Sequence, residues 1–301
     1  MIVVAGEALI DMTPEDVDGV GGFVPHPGGS PYNVAVGLGR LGAPVSFLGR
    51  VSTDRFGRML RAHLRDSRVS LNLLATGDEP TTLAIVHVGT GEPEYSFYAE
   101  ATADRLLLPE HLKPLPDGAP LHLGSISLLL EPAASTLEGL MRRESRQRLI
   151  TLDPNVRPGL VDDAESFRRR VEGWVELVDV VKVSEADLAW LHPGTAPEDA
   201  AKAWLDAGAV LVLVTFGTEG ALAMTGQGTV RSRAGKVEVA DTVGAGDAFT
   251  SGALAHLHTH RLLSRETVAE LGQDQLLELL GFANEIAADT CTRPGADPPW
   301  R

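Results

Sequence analysis

The 301-residue chain holds a single cysteine, Cys291, so no internal disulfide can form, and no Cys/His spacing suited to zinc is present. That usage suits a reducing compartment, with the thiol acting as a small buried hydrophobe. Positive charge is also scarce. Lys and Arg number 26 against 41 Asp and Glu, a formal net charge of −15, and no basic run appears. Nucleic-acid binding draws its affinity from clustered cations on phosphates, so nucleic acid is not an expected partner. No apolar run approaches the roughly 20 residues of a membrane-spanning helix. The opening stretch "MIVVAGEALIDM" has no basic start and meets glycine and acid within seven residues. A soluble, cytoplasmic protein with no membrane partner is expected. The GxxxxGK[ST] motif is missing too, so any nucleotide phosphate must be held without a Walker lysine.

Apolar residues make up 44% of the chain and charged residues 22%, while 32 Gly and 19 Pro supply many turns. A globular, loop-punctuated protein follows, and the length suffices for one large α/β domain. Short β-branched or leucine-rich runs recur as "MIVVAG", "VSFLGR", "LHLGSIS", "RLITLD", "VDVVKVS" and "VLVLVTFG". Most precede a stretch with helical apolar spacing, and that alternation predicts a mostly parallel sheet. Strands that are apolar along their whole length need helices on both faces, giving a three-layer α/β/α sandwich with ligands beyond the strand carboxyl ends. Two stretches break the rhythm: about 12–27, rich in Gly and Pro, and about 81–99, "TTLAIVHVGTGEPEYSFYA". They read as strands and a hairpin forming a small β-sheet lid inserted in one domain spanning 1–301.

The stretch "DTVGAGDAF" at 241–249 places a carboxylate after a loop nearly stripped of side chains. Apolar residues at Phe249, Ala253 and Leu257 keep a helical spacing, which puts Asp247 in the first turn of a core-facing helix. Amides at a helix start carry partial positive charge, and Gly244 and Gly246 let a phosphate approach the backbone. An aspartate there would repel phosphate, yet beside a transferred phosphoryl group it can accept a proton from an attacking hydroxyl. A helix cap after a tight turn explains the isolated motif equally well. Gly37, Gly39 and Gly42 match the GxGxxG spacing of dinucleotide sites, but no strand immediately precedes them. Helix packing and a C-cap account for them.

"GGSPYNVAVGLGRLGAPVSFLGRVSTDRFG" near the start and "DTVGAGDAFTSGAL" near the end together resemble the two signatures of the PfkB, or ribokinase-like, carbohydrate kinases. The likeness runs on through "LDPNVRP", "VKVSEAD", "VTFGTEGAL" and "NEIAADTCTRPGA". It implies a ribokinase-like fold, with the γ-phosphoryl group of ATP moving to a sugar hydroxyl. By this resemblance Asp247 is the catalytic base, and Gly244, Ala245 and Gly246 form its anion hole. Asp11, Gly28, Gly29 and Asn33 fall on positions that bind sugar hydroxyls. Thr215, Gly217 and Gly220 resemble the family's nucleotide loop, and Asn284 falls where relatives line the adenine pocket. Asp241 and Thr242 match the region of a monovalent cation, K⁺ among the expected cofactors with ATP and Mg²⁺. Where many relatives carry Asn-x-x-Glu linked to magnesium and phosphate, this chain has Ser184-Glu185-Ala186-Asp187, so a shorter carboxylate, Asp187, stands at the metal position. Lys182 can reach phosphate or snorkel at a strand end.

The lid segment and "DPNVRP" look most like fructokinase-type members. Relatives acting on fructose or on 2-keto-3-deoxygluconate commonly have an arginine after the lid tyrosine, whereas Ala99 follows Tyr98 here. A sugar acid needs compensating positive charge, so this loss favours a neutral ketose such as fructose, although Arg157 can partly substitute. The alternatives within the family are 2-keto-3-deoxygluconate, ribose or a nucleoside as acceptor. From another class comes a non-catalytic sugar or nucleotide sensor, against which the intact "GAGD" argues. The expected assembly is a homodimer paired through the lid on Leu83, Ile85 and Val88. Trp190 and Trp204 are expected in the core or an interface, and His256, His258 and His260 at the surface near a helix end.

Overall fold

The computed structural model describes residues 1–17, 20–87 and 94–301. The chain opens with β1 (Ile2–Ala5), β2 (Leu9–Val17), β3 (Val20–Gly28), α1 (Ser30–Arg40), β4 (Val45–Ser52), α2 (Arg55–Asp66) and β5 (Leu74–Gly77). After β6 (Leu83–His87) and β7 (Glu94–Tyr98) come β8 (Leu121–Gly124), α3 (Ala133–Glu144), β9 (Ile150–Asp153), α4 (Ala164–Val175), β10 (Val180–Ser184), α5 (Glu185–Leu191) and α6 (Pro197–Ala207). The last third holds β11 (Leu211–Thr215), β12 (Ala221–Thr225), β13 (Gly228–Ser232), α7 (Ala245–Thr259), α8 (Arg265–Ala269) and α9 (Gln273–Cys291). All six apolar runs become strands of one nine-stranded sheet, in the order β13-β12-β11-β10-β9-β8-β1-β4-β5. Its ladders are parallel except at β12 and β13, which return antiparallel at one edge.

Burial on both faces explains why these strands read as unbroken apolar runs. Val3 and Ala5 of β1 join a core with Leu137 of α3, Val171 of α4, Leu188 of α5 and Trp204 of α6. Ile2 and Val4 face the other way, onto Val34 of α1, Leu60 of α2 and Leu254 of α7. Val180, Leu211 and Leu213 continue that second face against Phe249 of α7, Val268 of α8 and Leu280 of α9. Three layers result. Trp204 is fully buried, Trp190 packs partly buried against the first core, and Cys291 is only half-buried at the end of α9, a correction to its expected burial. His256 and His258 are half-buried and His260 exposed where α7 ends.

β1 has β4 on one side and β8 on the other, so the chain first builds outward through β4 and β5, then returns to β8 and builds the opposite way. Such a reversal leaves a crevice at the carboxyl ends of the strands. Over it stands the second sheet, of four strands in the order β3-β2-β6-β7, made by the two segments expected to form a lid. Val88, proposed for the outer lid face, lies outside the described residues. Leu83 packs onto the protein's own core.

The three glycines of the apparent dinucleotide motif serve packing. A Cβ at Gly37 would stand 2.3 Å from Ser251 Oγ of α7, and one at Gly39 would stand 2.0 Å from the Ser67 carbonyl oxygen. Gly42 ends the helix region with φ +78°. Gly37→Val should therefore destabilise the protein by about 1–3 kcal/mol, the usual cost of overpacking a close contact. Denaturant unfolding measures it, and an unchanged midpoint would mean that α1 and α7 do not meet at that residue.

Candidate active site

Beneath the lid the crevice opens into a cavity walled by the ends of β1, β8, β9 and β10, by α1, and by the start of α7. Asp247 sits in the first turn of α7, 8% exposed. It does not cap its own helix, whose N-cap is Gly244 in the left-handed conformation, φ +75°. Its carboxylate is instead held by α1: Ser30 Oγ donates to Oδ1 at 2.6 Å and Asn33 Nδ2 donates to Oδ2 at 2.9 Å. Burial pushes its pKa up to about 6, opposed by those two donors, while Asp153 raises it and Lys182 lowers it. A carboxyl group poised near neutrality in a cleft is suited to taking up a proton. The Gly246 and Asp247 amides precede the first full helical bond, from Ala248 N–H to the Gly244 carbonyl, so they face the cavity as anion-binding groups.

Asp11 projects from β2 into the same cavity, and burial together with the like charge of Asp247 pushes its pKa up to about 7. Gly28 lies across from it. A Cβ there would stand 2.0 Å from Asp11 Oδ2, so a side chain at 28 would displace this carboxylate from its present position. Arg157 lines the wall with its guanidinium donating to Asn155 Oδ1 at 2.6 Å and lying 6.0 Å from the Tyr95 ring centroid. Lys182 is buried and donates to Asp153 Oδ2 at 2.8 Å. Burial pulls its pKa down, but the Asp153 carboxylate outweighs that and holds the ammonium above its ordinary value.

The cavity thus gathers Asp247, Gly244, Gly246, Asp11, Gly29, Asn33, Arg157, Lys182 and Thr242 from the candidates of the sequence. Tyr98, the lid tyrosine expected among the substrate-binding residues, is a correction. Successive residues of a strand point to opposite faces, and it is Tyr95 and Phe97 of β7 that line the cavity, while Tyr98 turns outward and is 65% exposed. Thr215 ends β11 and Gly217 and Gly220 lie in the turn after it, outside this cavity, and Gly220 packs against Ser232. Asn284 of α9 reaches the same Ser232, whose carbonyl accepts from Nδ2 at 3.5 Å, so these candidates form a second group beside β13. Ser184 caps α5 by accepting from the Asp187 amide, and Asp187 Oδ1 accepts from Val156 N–H at 3.1 Å. Asp241 joins two loops, its Oδ1 accepting from Val243 N–H at 3.0 Å and its Oδ2 from Gly295 N–H at 2.8 Å.

Beyond Tyr95 and Phe97, three residues that hold the charged groups of the site escaped the sequence. Glu7 follows β1, and burial pushes its pKa up to about 7. Its Oε1 accepts from Ser30 N–H at 3.1 Å and its Oε2 from Ser127 N–H at 3.2 Å, tying α1 to the turn after β8. Ser30 and Asp153 are the others, each known only through its partner across the fold. Among the described residues no three His, Cys, Asp or Glu side chains group at metal-binding spacing. Asp187, the carboxylate that the resemblance puts at the metal position, does not line this cavity.

The family described as pfkB family carbohydrate kinase matches residues 1–301. A fructokinase of Rhizobium leguminosarum bv. trifolii is 41% identical over 278 residues, covering 92% of this chain and 85% of that protein. The fructokinase of Vibrio cholerae O395, solved in its fructose, ADP and calcium ion bound form, superposes with a TM-score of 0.85 at 30% identity, over 98% of this chain and 94% of that one. A Xylella fastidiosa fructokinase with bound ATP gives a TM-score of 0.90 at 29% identity, over 98% and 93%. The ribokinase-like architecture of a mostly parallel sheet with a small β lid is shared with these structures. The chain belongs to the pfkB family of carbohydrate kinases.

Proposed function

We propose that this carbohydrate kinase moves the γ-phosphoryl group of ATP onto a hydroxyl of fructose, with Asp247 as the general base. The observation that carries it is the place of Asp247, a buried carboxylate at the amino end of α7, beside free helix amides and within the cavity that Asp11 and Asn33 share. As the sugar oxygen bonds to phosphorus and the bond to ADP breaks, the hydroxyl proton passes to Asp247. The α7 amides, with Gly244, Ala245 and Gly246 keeping the approach open, meet the charge on the phosphoryl oxygens. Lys182 adds a cation fixed by Asp153. Asp11 and the remaining donor and acceptor of Asn33 take sugar hydroxyls beside Gly29, with Gly28 leaving room for the Asp11 carboxylate. Thr215, Gly217, Gly220 and Asn284 serve the base and ribose end of the nucleotide. Asp187 would hold Mg²⁺ on the phosphates, where the ion spreads the transferred charge. Asp241 and Thr242 would hold K⁺ between the loops they already join.

Charge in the cavity supports a neutral acceptor. Its wall carries the carboxylates of Glu7, Asp11 and Asp247 against only Arg157 and Lys182, and Lys182 already faces Asp153. Ala99 is buried, its carbonyl accepting from Thr102 Oγ1 and from Arg105, so the lid offers no cation where relatives place one. A sugar acid would find there one cation not paired with a carboxylate, Arg157, with Asp11 close by. For the assembly we keep a homodimer through the outward lid face, where Ile85 is half-buried and Tyr98 exposed. We place the protein in the cytoplasm. Among the described residues no helix is long and apolar enough to cross a membrane.

Asp247→Asn should lower kcat by about 10²–10⁴-fold, the range of a lost general base, with the fold unchanged. Sugar-dependent ADP release across neutral ketoses, aldoses, sugar acids and nucleosides measures it and should single out fructose. Near-parental turnover by the variant would remove the base assignment, and tight sugar binding without turnover on the whole panel would favour a sensor. Because Asp247 acts as its carboxylate and its pKa stands at about 6, kcat/KM should fall as pH drops through about 6. A profile flat down to pH 5 would contradict that assignment.

A further inference from the structure

Of the two donors that hold Asp247, Asn33 Nδ2 can only donate, whereas the Ser30 hydroxyl can rotate between donating and accepting. Ser30 is 7% exposed and lines the cavity beside Asp247. Its own position is set from below, since its amide donates to Glu7 Oε1 at 3.1 Å and Glu7 is itself buried between α1 and the turn after β8. The neighbouring Gly29 backbone fits closely over that support, as a Cβ there would stand 2.8 Å from the Glu7 carbonyl oxygen. The hydroxyl is therefore aimed by rigid elements.

We propose that Ser30 is a positioning residue of the phosphoryl transfer: its hydroxyl fixes Asp247 Oδ1 toward the acceptor and stays bonded to that oxygen in both its charged and its protonated form. This rests on Asp247 being the base. Before transfer Ser30 O–H donates to the carboxylate. As the sugar hydroxyl proton reaches Oδ1, with the new O–P bond formed and ADP released, Ser30 turns to accept from the resulting acid. When product leaves, the proton passes to solvent and the hydroxyl turns back. Alanine at 30 leaves Oδ1 without a donor while Asn33 still holds Oδ2.

Loss of that donor removes an interaction favouring the charged form, so the base titrates higher. The other titratable or charged groups around Asp247 are Glu7 after β1, Asp11 on β2, Tyr95 on β7, Asp153 on β9, Arg157 in the loop after it and Lys182 on β10, and Ser30→Ala leaves all of them in place. The expected result for Ser30→Ala is a kcat about tenfold lower, from one lost hydrogen bond to a charged group, with KM for fructose and for ATP changed less than about threefold. The acidic limb of its kcat profile should move up by about one pH unit. Ser30→Thr, which restores a hydroxyl, should return both toward the parent. An unmoved limb would overturn the proposal even if kcat falls, because the limb is independent of how much protein is folded. Loss of kcat in step with a rise of both KM values would overturn it as well. Asp247→Asn, run in parallel, separates the two claims: near-parental turnover there defeats the base reading itself, while an inactive Asp247→Asn beside an unaltered Ser30→Ala defeats only the role of Ser30.

Discussion

A single buried carboxylate joins the beginnings of two helices, and the rest of the site is arranged around that contact. Asp247 belongs to α7, its donors Ser30 and Asn33 to α1, more than 200 residues earlier in the chain. Burying a charge without partners costs several kcal/mol, so the two helices must meet in one register to satisfy it. Gly37 allows that approach by letting Ser251 of α7 come close to the backbone of α1. Glu7 then fixes the first turn of α1 to the turn after β8, and the sheet reversal at β1 and β8 supplies the crevice.

An acidic protein that handles polyanions needs its field reversed locally. The net charge of −15 is countered in the cavity by the amides opening α7, by Lys182 and by Arg157. Lys182 could have been neutralised by burial, yet Asp153 keeps it charged. Glu7, Asp11 and Asp247 all have raised pKa values with burial as the largest cause. Such groups bind protons more readily folded than unfolded, so their contribution to stability falls as pH rises from the ordinary carboxylate range through about 7. The cavity is thus least favourable to the fold at the pH where the base is ionised, a conflict typical of sites built for chemistry.

Much of this was legible in the sequence because it was local. Six apolar runs marked six strands, and the glycine loop before Phe249, Ala253 and Leu257 marked the start of α7. Glycine spacing alone suggested a dinucleotide site, and the missing strand before Gly37 rejected it. What escaped was long-range or a matter of phase. Ser30, Glu7 and Asp153 are ordinary until their partners are known. Tyr98 carries the family's lid tyrosine in the sequence pattern, yet Tyr95 and Phe97 share the opposite face of β7, and a shift of one residue exchanges inside for outside. The antiparallel return of β12 and β13 had no signal as strong as the parallel runs. Asp187, the shortened carboxylate of the Ser184–Asp187 stretch, is held by the Val156 amide, a contact that only the fold reveals.

The central claim is that residues 244–247 receive the transferred phosphoryl group while the Asp247 carboxylate takes the acceptor proton. A crystal structure with fructose, magnesium and a non-hydrolysable ATP analogue tests it most directly. The account predicts the γ-phosphoryl oxygens within hydrogen-bond distance of the Gly246 and Asp247 amides, and one fructose hydroxyl equally close to an Asp247 oxygen. A triphosphate bound away from the start of α7, or a sugar whose hydroxyls all lie beyond reach of Asp247, would contradict it.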